Sequence, residues 1–371
     1  MSELRQESET YSERPDRRPF FVLRHLSRLA DARRAERAEL PEPCELLTVG
    51  GLTWRTLSRE DTDTLAALIS HVETSERAPF RTTRAEVREL FDPGYHIDSR
   101  GGYDAEGRLR AFGFVRIPRL DVPVLVATLY GSVDPEMRER NIGADLLRWQ
   151  ILRAREMIMS LAPHGGGYLQ VIVDEGQRDI KDLLTRHGFI DQGEIIQMRR
   201  SLTEELPAAD APSHIRIEPW SDELDDAVRL AHEEAFSQSG GDSMVSVKEW
   251  GRARAALVPE WSFIALDRSS DRARVAGYVL ASKWEEDWDA LGWSEGYIEA
   301  IGVLEEWRGQ GVAKSLLSHS MRAMRADSME YAGIDADSQN PTGAQTVFEL
   351  IGFEYTHATT RYVLDVPPLE A

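Results

Sequence analysis

The stretch Trp307-Arg308-Gly309-Gln310-Gly311-Val312-Ala313 combines residue types suited to holding a phosphate. An apolar run over residues 297–303 leads into it and a helical pattern over 312–327 leads out. The first amides of a helix have no acceptor one turn back, and the helix dipole favours an anion beside them. Gly309 and Gly311 let the main chain approach such a ligand without a Cβ in the way, and Arg308 adds positive charge on the outside. A pyrophosphate-bearing cofactor is therefore the first expectation. Taken alone, two glycines also make a plain turn. The spacing is neither a dinucleotide fingerprint nor a P-loop, since no G-x-G-x-x-G is present and no Lys-Ser/Thr pair follows.

Such a loop needs a strand before it and a helix after it, and the chain spells out that order twice. In the second half, residues 215–217 alternate as a short strand. Residues 222–236 form a helix with Ser221 as N-cap and Leu224, Ala227, Val228, Ala231 and Ala235 on one face. A second helix is expected over 247–257, then strands over 262–266, 275–282 and 296–303, the glycine loop, and the long helix. A strand over 331–336, a helix over 342–351 closed by Gly352, and a strand over 355–364 complete the half. The first half repeats the plan: a strand over 52–57, helices over 61–71 and 84–91, and strands over 95–97, 109–117 and 122–133. The turn from Arg138 to Ala144 then enters a helix ending at Leu161, followed by a strand over 168–173, a helix over 180–187 and a strand over 195–199. Gly188-Phe189 and Gly352-Phe353 close equivalent helices, which points to duplication.

The polar, proline-bearing stretch after Ser201 marks the boundary. The expected organisation is a charged extension over 1–46, a domain over 47–202, a linker over 203–213 and a second domain over 214–371. A chain of 371 residues fits two domains. In the extension, Phe20 to Leu23 forms an apolar docking patch, and Arg33, Arg34 and Arg37 are broken up by Asp31, Glu36 and Glu39, as on a solvated helix face. No apolar run is long enough to span a bilayer, and the N-terminus lacks a signal-peptide core, so a cytoplasmic protein without membrane contact is expected. The single cysteine, Cys44, allows no disulfide framework and suggests no metal cluster. A formal charge of −20 argues against nucleic acid and for cationic small molecules.

These residues resemble the GNAT N-acetyltransferase superfamily. Its hallmark is a strand ending in valine, then Arg/Gln-x-x-Gly-x-Gly/Ala and a helix; here Val303 is followed by Arg308-Gly309-Gln310-Gly311-Val312-Ala313. A second hallmark is an Asn, a helix and a closing Gly-Phe: Asn340-Pro341-Thr342-Gly343-Ala344, Phe348 and Gly352-Phe353. The first half resembles the same family with losses. Asn141 replaces the first glycine of the hallmark while Arg138 and Gly143 keep its other positions, and 177–184 lacks the Asn motif. The implied fold is α/β (α+β): two tandem GNAT-like domains, each a mixed, mostly antiparallel sheet flanked by helices and splayed at the acyl-CoA site. In architecture this is similar to mycothiol synthase, with the first domain structural and the two halves facing each other as a pseudo-dimer.

The resemblance implies acetyl-CoA as co-substrate, its pyrophosphate on Arg308, Gly309, Gln310, Gly311, Val312 and Ala313, with Val303 and Asn340 also in the binding site. Pantetheine would insert where strands 296–303 and 331–336 part. A primary amine would attack the thioester directly, which requires a base. Glu299, on the face of Val303 by period two, is the first candidate and Tyr297 the second; Glu299 also reads as a satisfied strand residue or an exposed charge. Where the family places a tyrosine for the leaving thiolate, this chain has Phe348, which leaves water or Tyr355 to serve instead. The segment 283–293, with Trp284, Glu285, Glu286, Asp287, Trp288, Asp289 and Trp293, suits a cation through carboxylates and indole faces, or else packs on the neighbouring domain.

The expected activity is acetylation of a small cationic amine by a monomer or homodimer. A catalytically impaired acyl-CoA sensor and a peptide or protein N-acetyltransferase are the alternatives.

Overall fold

The computed structural model describes residues 49–368 except 77, 79–80, 120–123, 163–164, 209, 238–249, 251–256, 271, 286–287, 289–290 and 341–342. The extension over 1–46, most of the expected helix over 247–257, and Glu286, Asp287, Asp289, Pro341 and Thr342 lie outside the described residues.

The first half runs β1 (Thr53–Arg55), α1 (Thr62–Glu76), α2 (Arg84–Glu89), β2 (Tyr95–Tyr103), β3 (Leu109–Pro118), β4 (Leu125–Val133), α3 (Ile142–Leu161), β5 (Gly167–Asp174), α4 (Arg178–Arg186) and β6 (Ile190–Ser201). The second runs β7 (Ile215–Pro219), α5 (Asp225–Ser237), β8 (Phe263–Asp267), β9 (Arg274–Lys283), β10 (Glu295–Val303), α6 (Val312–Ala326), β11 (Tyr331–Asp337), α7 (Ala344–Leu350) and β12 (Glu354–Val366). The mixed α/β plan and its duplication are as the sequence implies. On α5 the buried face differs by one residue: Ala227 is exposed, and His232 is fully buried beside Val228 and Ala231.

All twelve strands form one sheet, ordered β1-β2-β3-β4-β5-β12-β6-β11-β10-β9-β8-β7. The halves have exchanged strands. β12 of the second half pairs antiparallel with β5 of the first, β6 of the first pairs antiparallel with β11 of the second, and β6 and β12 pair with each other. The cores are exchanged accordingly. Ile196, Met198 and Leu202 pack in the second half's core, while Tyr362 and Val366 pack in the first half's. No helix among the described residues is long and apolar enough to cross a membrane.

Candidate active site

β10 and β11 run parallel and are paired from Glu295↔Tyr331 to Ile298↔Ile334. Beyond that rung they part, although both strands continue. The cleft between them is lined by Phe236, Glu299, Asp335, Asp337, Asn340 and Phe348 among others. Its origin is local. On the β9 side Ile298 pairs with Ala281 and Ala300 with Leu280, so Glu299 is an extra residue in a β-bulge, which bends the strand and re-aims its side chains. The bulge also corrects a sequence expectation. Tyr297 lies opposite Ser282 and Gly302 opposite Tyr278, and Ser282 and Tyr278 share a face of β9. Val303 has therefore turned to the face opposite Tyr297.

The glycine loop leaves β10 through a 3-10 turn, Glu305–Trp307. Trp307 anchors it: the indole is buried and its Nε1 donates to Asp267 at 2.8 Å. Asp267, also receiving from the main chain and hydroxyl of Ser269, is held down to about 2. Gly309 and Gly311 take φ of 72° and 82°, which an L side chain rarely adopts, and nothing lies within 4 Å of where a Cβ would stand. The loop therefore opens onto free space at the N-terminus of α6, where Val312 and Ala313 begin the helix. Arg308 points inward rather than outward. Its Nε donates to the Val303 carbonyl at 3.0 Å and its Nη2 to the Ala235 carbonyl at 3.2 Å. Gln310 folds back onto the Glu306 carbonyl at 3.0 Å. Both side chains brace the loop and leave its outer face to the main chain.

The carboxylates come together on β10 and β11. Glu299 accepts from Trp284 Nε1 at 2.9 Å and from the Ser282 hydroxyl. Tyr297 lies against Asp335 and the Gln197 side chain. Burial, reinforced by the negative charges of Glu299 and Glu295, pushes Asp335 up to about 6 against the pull of Tyr297. Burial and then Asp335 raise Tyr297 well above the ordinary phenol value. Glu295 is bonded to Arg199 Nε at 2.6 Å, and that guanidinium lies 4.4 Å over the Trp293 ring. The hairpin tryptophans turn inward: Trp293 Nε1 reaches Glu295 at 3.4 Å and Trp288 Nε1 the Glu295 carbonyl at 3.2 Å. The Trp288 and Trp293 rings already carry Lys283 and Arg199. These indoles hold the site's acids in place.

Phe348 is buried and packs 6.1 Å from Phe353, presenting no polar atom to the cleft. Tyr355 is exposed and donates to Glu175, and that bond with the carboxylate's charge pushes its phenol up to about 12. It is committed to the other half of the molecule. Asn340 lines the cleft, and its carbonyl accepts from the Gly343 amide at 3.3 Å just before α7.

The first half keeps the frame and loses the groups. Its β4 and β5 also part after a last rung, Thr128↔Gln170. Glu139 and Asn141 hold φ of 64° and 61°, matching Gly309 and Gly311 but with side chains, and Arg138 is paired with Glu76. Leu304 bonds to Ala276 as Asp134 bonds to Arg110, which sets the two halves in register. Following the rungs from there, Tyr297 corresponds to Thr128, Asp335 to Ile172 and Gln197 to Arg361, and the bulged Glu299 has no counterpart. Asp335, Ser282 and Gln197 were not singled out from sequence. Asp335 had a visible signal, an acid between Ile334 and Ala336 in a mostly apolar strand; Gln197 had none, because the exchange brings it to the site.

Residues 221–353 match the family model described as Acetyltransferase (GNAT) family. The catalytic subunit of the N-terminal acetyltransferase A complex of Schizosaccharomyces pombe is 27% identical over 106 residues, 28% of this chain and 59% of that one; the chain thus covers under two thirds of that relative. Mycothiol acetyltransferase of Tsukamurella paurometabola is 22% identical over 270 residues, covering 70% of this chain and 81% of that one. A GCN5-related N-acetyltransferase from Sphaerobacter thermophilus has the same fold, with a TM-score of 0.70 at 20% identity over 88% of this chain and 98% of that one. The parted strands, the left-handed glycine loop heading α6 and these matches agree: residues 221–353 belong to the GNAT acetyltransferase family, whose members are N-acetyltransferases with acetyl-CoA as co-substrate, in a chain of tandem GNAT architecture.

Proposed function

We propose that this chain transfers an acetyl group from acetyl-CoA to the primary amine of a small cationic molecule, in its second half, by direct attack of the amine on the thioester. The observation that carries this reading is the asymmetry between two clefts of one plan. The second half has an open glycine loop and three carboxylates, Glu299, Asp335 and Asp337, lining the gap. At the corresponding places the first half has Glu139 and Asn141 in the loop and Ile172 in the strand. A site needs all its parts, so the first half serves as scaffold. The residues fit the co-substrate: the gap between β10 and β11 exposes strand edges that a pantetheine amide chain can pair with, and the amides heading α6 suit a pyrophosphate. Carboxylates lining the cleft favour an ammonium-bearing acceptor. The domain limits 47–202 and 214–371 are retained as the units of duplication, with β6 and β12 crossing between them.

The test is calorimetry with acetyl-CoA followed by thiol release with spermidine, glucosamine and kanamycin as acceptors. One micromolar site (about −8 kcal/mol) and turnover with at least one amine support the reading. Two sites would refute the account of the first half. Binding without turnover would favour an acyl-CoA-binding module, the reading that the apolar Phe348 in the cleft supports.

A further inference from the structure

We propose that Gly193 and Glu194 of the first half position Asn340 in the second half's cleft, and with it the wall against which acyl-CoA binds. This rests on the reading that places acetyl-CoA between β10 and β11. β6 and β11 pair as far as Ile195↔Asp337, where β11 ends. Their contact continues beyond that rung. The Ser338 amide donates to the Glu194 carbonyl at 2.9 Å, and the Glu194 amide donates to the Ser338 hydroxyl at 2.9 Å. One residue further on, Gln339 lies over Gly193, so closely that a Cβ on the glycine would stand 2.8 Å from the Gln339 Cγ. Gly193 holds φ of 94°, and its amide donates to Asp191 Oδ1 at 2.8 Å. The Gln339 amide donates to Asp337 Oδ1 at 2.8 Å, and the Asn340 amide to the Asp337 carbonyl at 3.0 Å. Asp337 and Asn340 both line the cleft. The chain leaving β11 is thus held by the first half up to the residue before Asn340.

The two halves differ at this point. Continuing the register from Asp335 and Ile172, Ser338 corresponds to Glu175 and Gln339 to Gly176; from Gln197 and Arg361, Glu194 corresponds to Ala358 and Gly193 to His357. The main-chain bond is kept, from the Glu175 amide to the Ala358 carbonyl at 3.0 Å. The side-chain bond is replaced, because the Glu175 carboxylate accepts from Tyr355. Glycine and side chain have changed places: the strand carries His357 and the loop Gly176, where the second half has Gly193 on the strand and Gln339 in the loop. Gln177 stands in the place of Asn340. The clamp therefore accompanies the complete cleft. A loop held in its binding geometry before the ligand arrives spares the cost of ordering it, and apparent affinity falls in proportion to the time spent outside that geometry. Gly193 and Glu194 are positioning residues for the co-substrate, and they give the first half a share in an affinity expressed in the second.

The experiment measures acetyl-CoA affinity by calorimetry and the urea midpoint of the full chain. The variants are Ser338→Ala, Ser338→Thr, Gly193→Ala, Gly193→Ala combined with Gln339→Ala, and Asn340→Ala. Ser338→Ala is expected to weaken binding about threefold to tenfold, the span of one hydrogen bond. Ser338→Thr keeps the hydroxyl and should restore most of it. Gly193→Ala should weaken binding by about tenfold and lower the midpoint, since it adds backbone strain. The combined variant reopens the space and keeps the strain, so affinity should recover while the midpoint stays low. A merely structural role would move both together, and that result overturns the proposal. Unchanged affinity in Ser338→Ala and Gly193→Ala, beside weakened affinity in Asn340→Ala, overturns the clamp and leaves the cofactor reading intact. Unchanged affinity in Asn340→Ala removes that residue from the wall and overturns the proposal with it. Hydrogen exchange at the amides of Ser338, Gln339 and Asn340 is a readout independent of binding. If the unaltered chain binds no acetyl-CoA, the cofactor reading fails, and faster exchange confined to these amides in Ser338→Ala still supports the clamp; unchanged exchange overturns it.

Discussion

The indole of Trp307 and the carboxylate of Asp267 meet at 2.8 Å, both buried, at the base of the glycine loop. This bond ties the turn before α6 to β8, so the loop's shape depends on a contact remote in sequence. Trp307→Phe keeps most of the packing and leaves Asp267 short of a donor. The expected result is a loss of about 1–3 kcal/mol in stability and a weaker acetyl-CoA affinity. A urea titration and calorimetry on the same sample measure both.

Gly311 stands at φ 82° with open space in front of it. Gly311→Glu adds backbone strain and a negative charge where the pyrophosphate is expected, and should abolish acetyl-CoA binding in a calorimetric titration. Retained affinity would remove the phosphate reading of the loop. Gly143→Glu in the first half should leave stoichiometry and affinity unchanged.

Asp335 ties stability to pH. Its folded value of about 6 lies above the ordinary 3.8, so in that window the folded protein holds a proton the unfolded chain has released. Stability therefore falls as the pH rises through the window, by on the order of 3 kcal/mol in all. Asp335→Asn removes the slope and should be the more stable protein above about pH 6. Urea midpoints at pH 5 and pH 8 decide it; a variant less stable at both would show that the carboxylate is a net structural asset.

Phe348→Tyr places a phenol on the cleft wall beside Phe353. Acetyl-CoA affinity should be unchanged. Turnover should also hold within about twofold, because a thiolate leaves without much help from an acid. A severalfold rise in kcat, measured by thiol release, would show that protonation of the leaving group limits the native chain.

Element by element, much of this fold was legible in the chain. The periodicity of residues 275–282 and 296–303 is that of β9 and β10, and the helix ending at Leu161 matches α3. β2, expected over 95–97, extends through Gly101 and Gly102 to Tyr103. In the sheet these glycines make room for their neighbours, since a Cβ at Gly101 would stand 2.5 Å from a Leu57 methyl and one at Gly102 2.9 Å from the Trp54 ring. The site was half visible. The loop follows from local residue types, and Glu299 was named, but as a regular strand position, since alternation in sequence cannot reveal a bulge. Gln197 was invisible because β6 and β12 carry similar strand patterns, and nothing local states which half each one joins.

That choice of partner governs how the protein can be made. β5 has no neighbour on its β12 side until residues 359–366 have been synthesised, so the first half cannot close its sheet while it is the only part outside the ribosome. A fragment ending before β7 would present β5 and β6 as bare edges, the kind that aggregates, and one beginning there would lack the strand between β11 and β12. The two fragments should recover fold and acetyl-CoA binding only when refolded together, so neither half could be inherited, expressed or lost without the other.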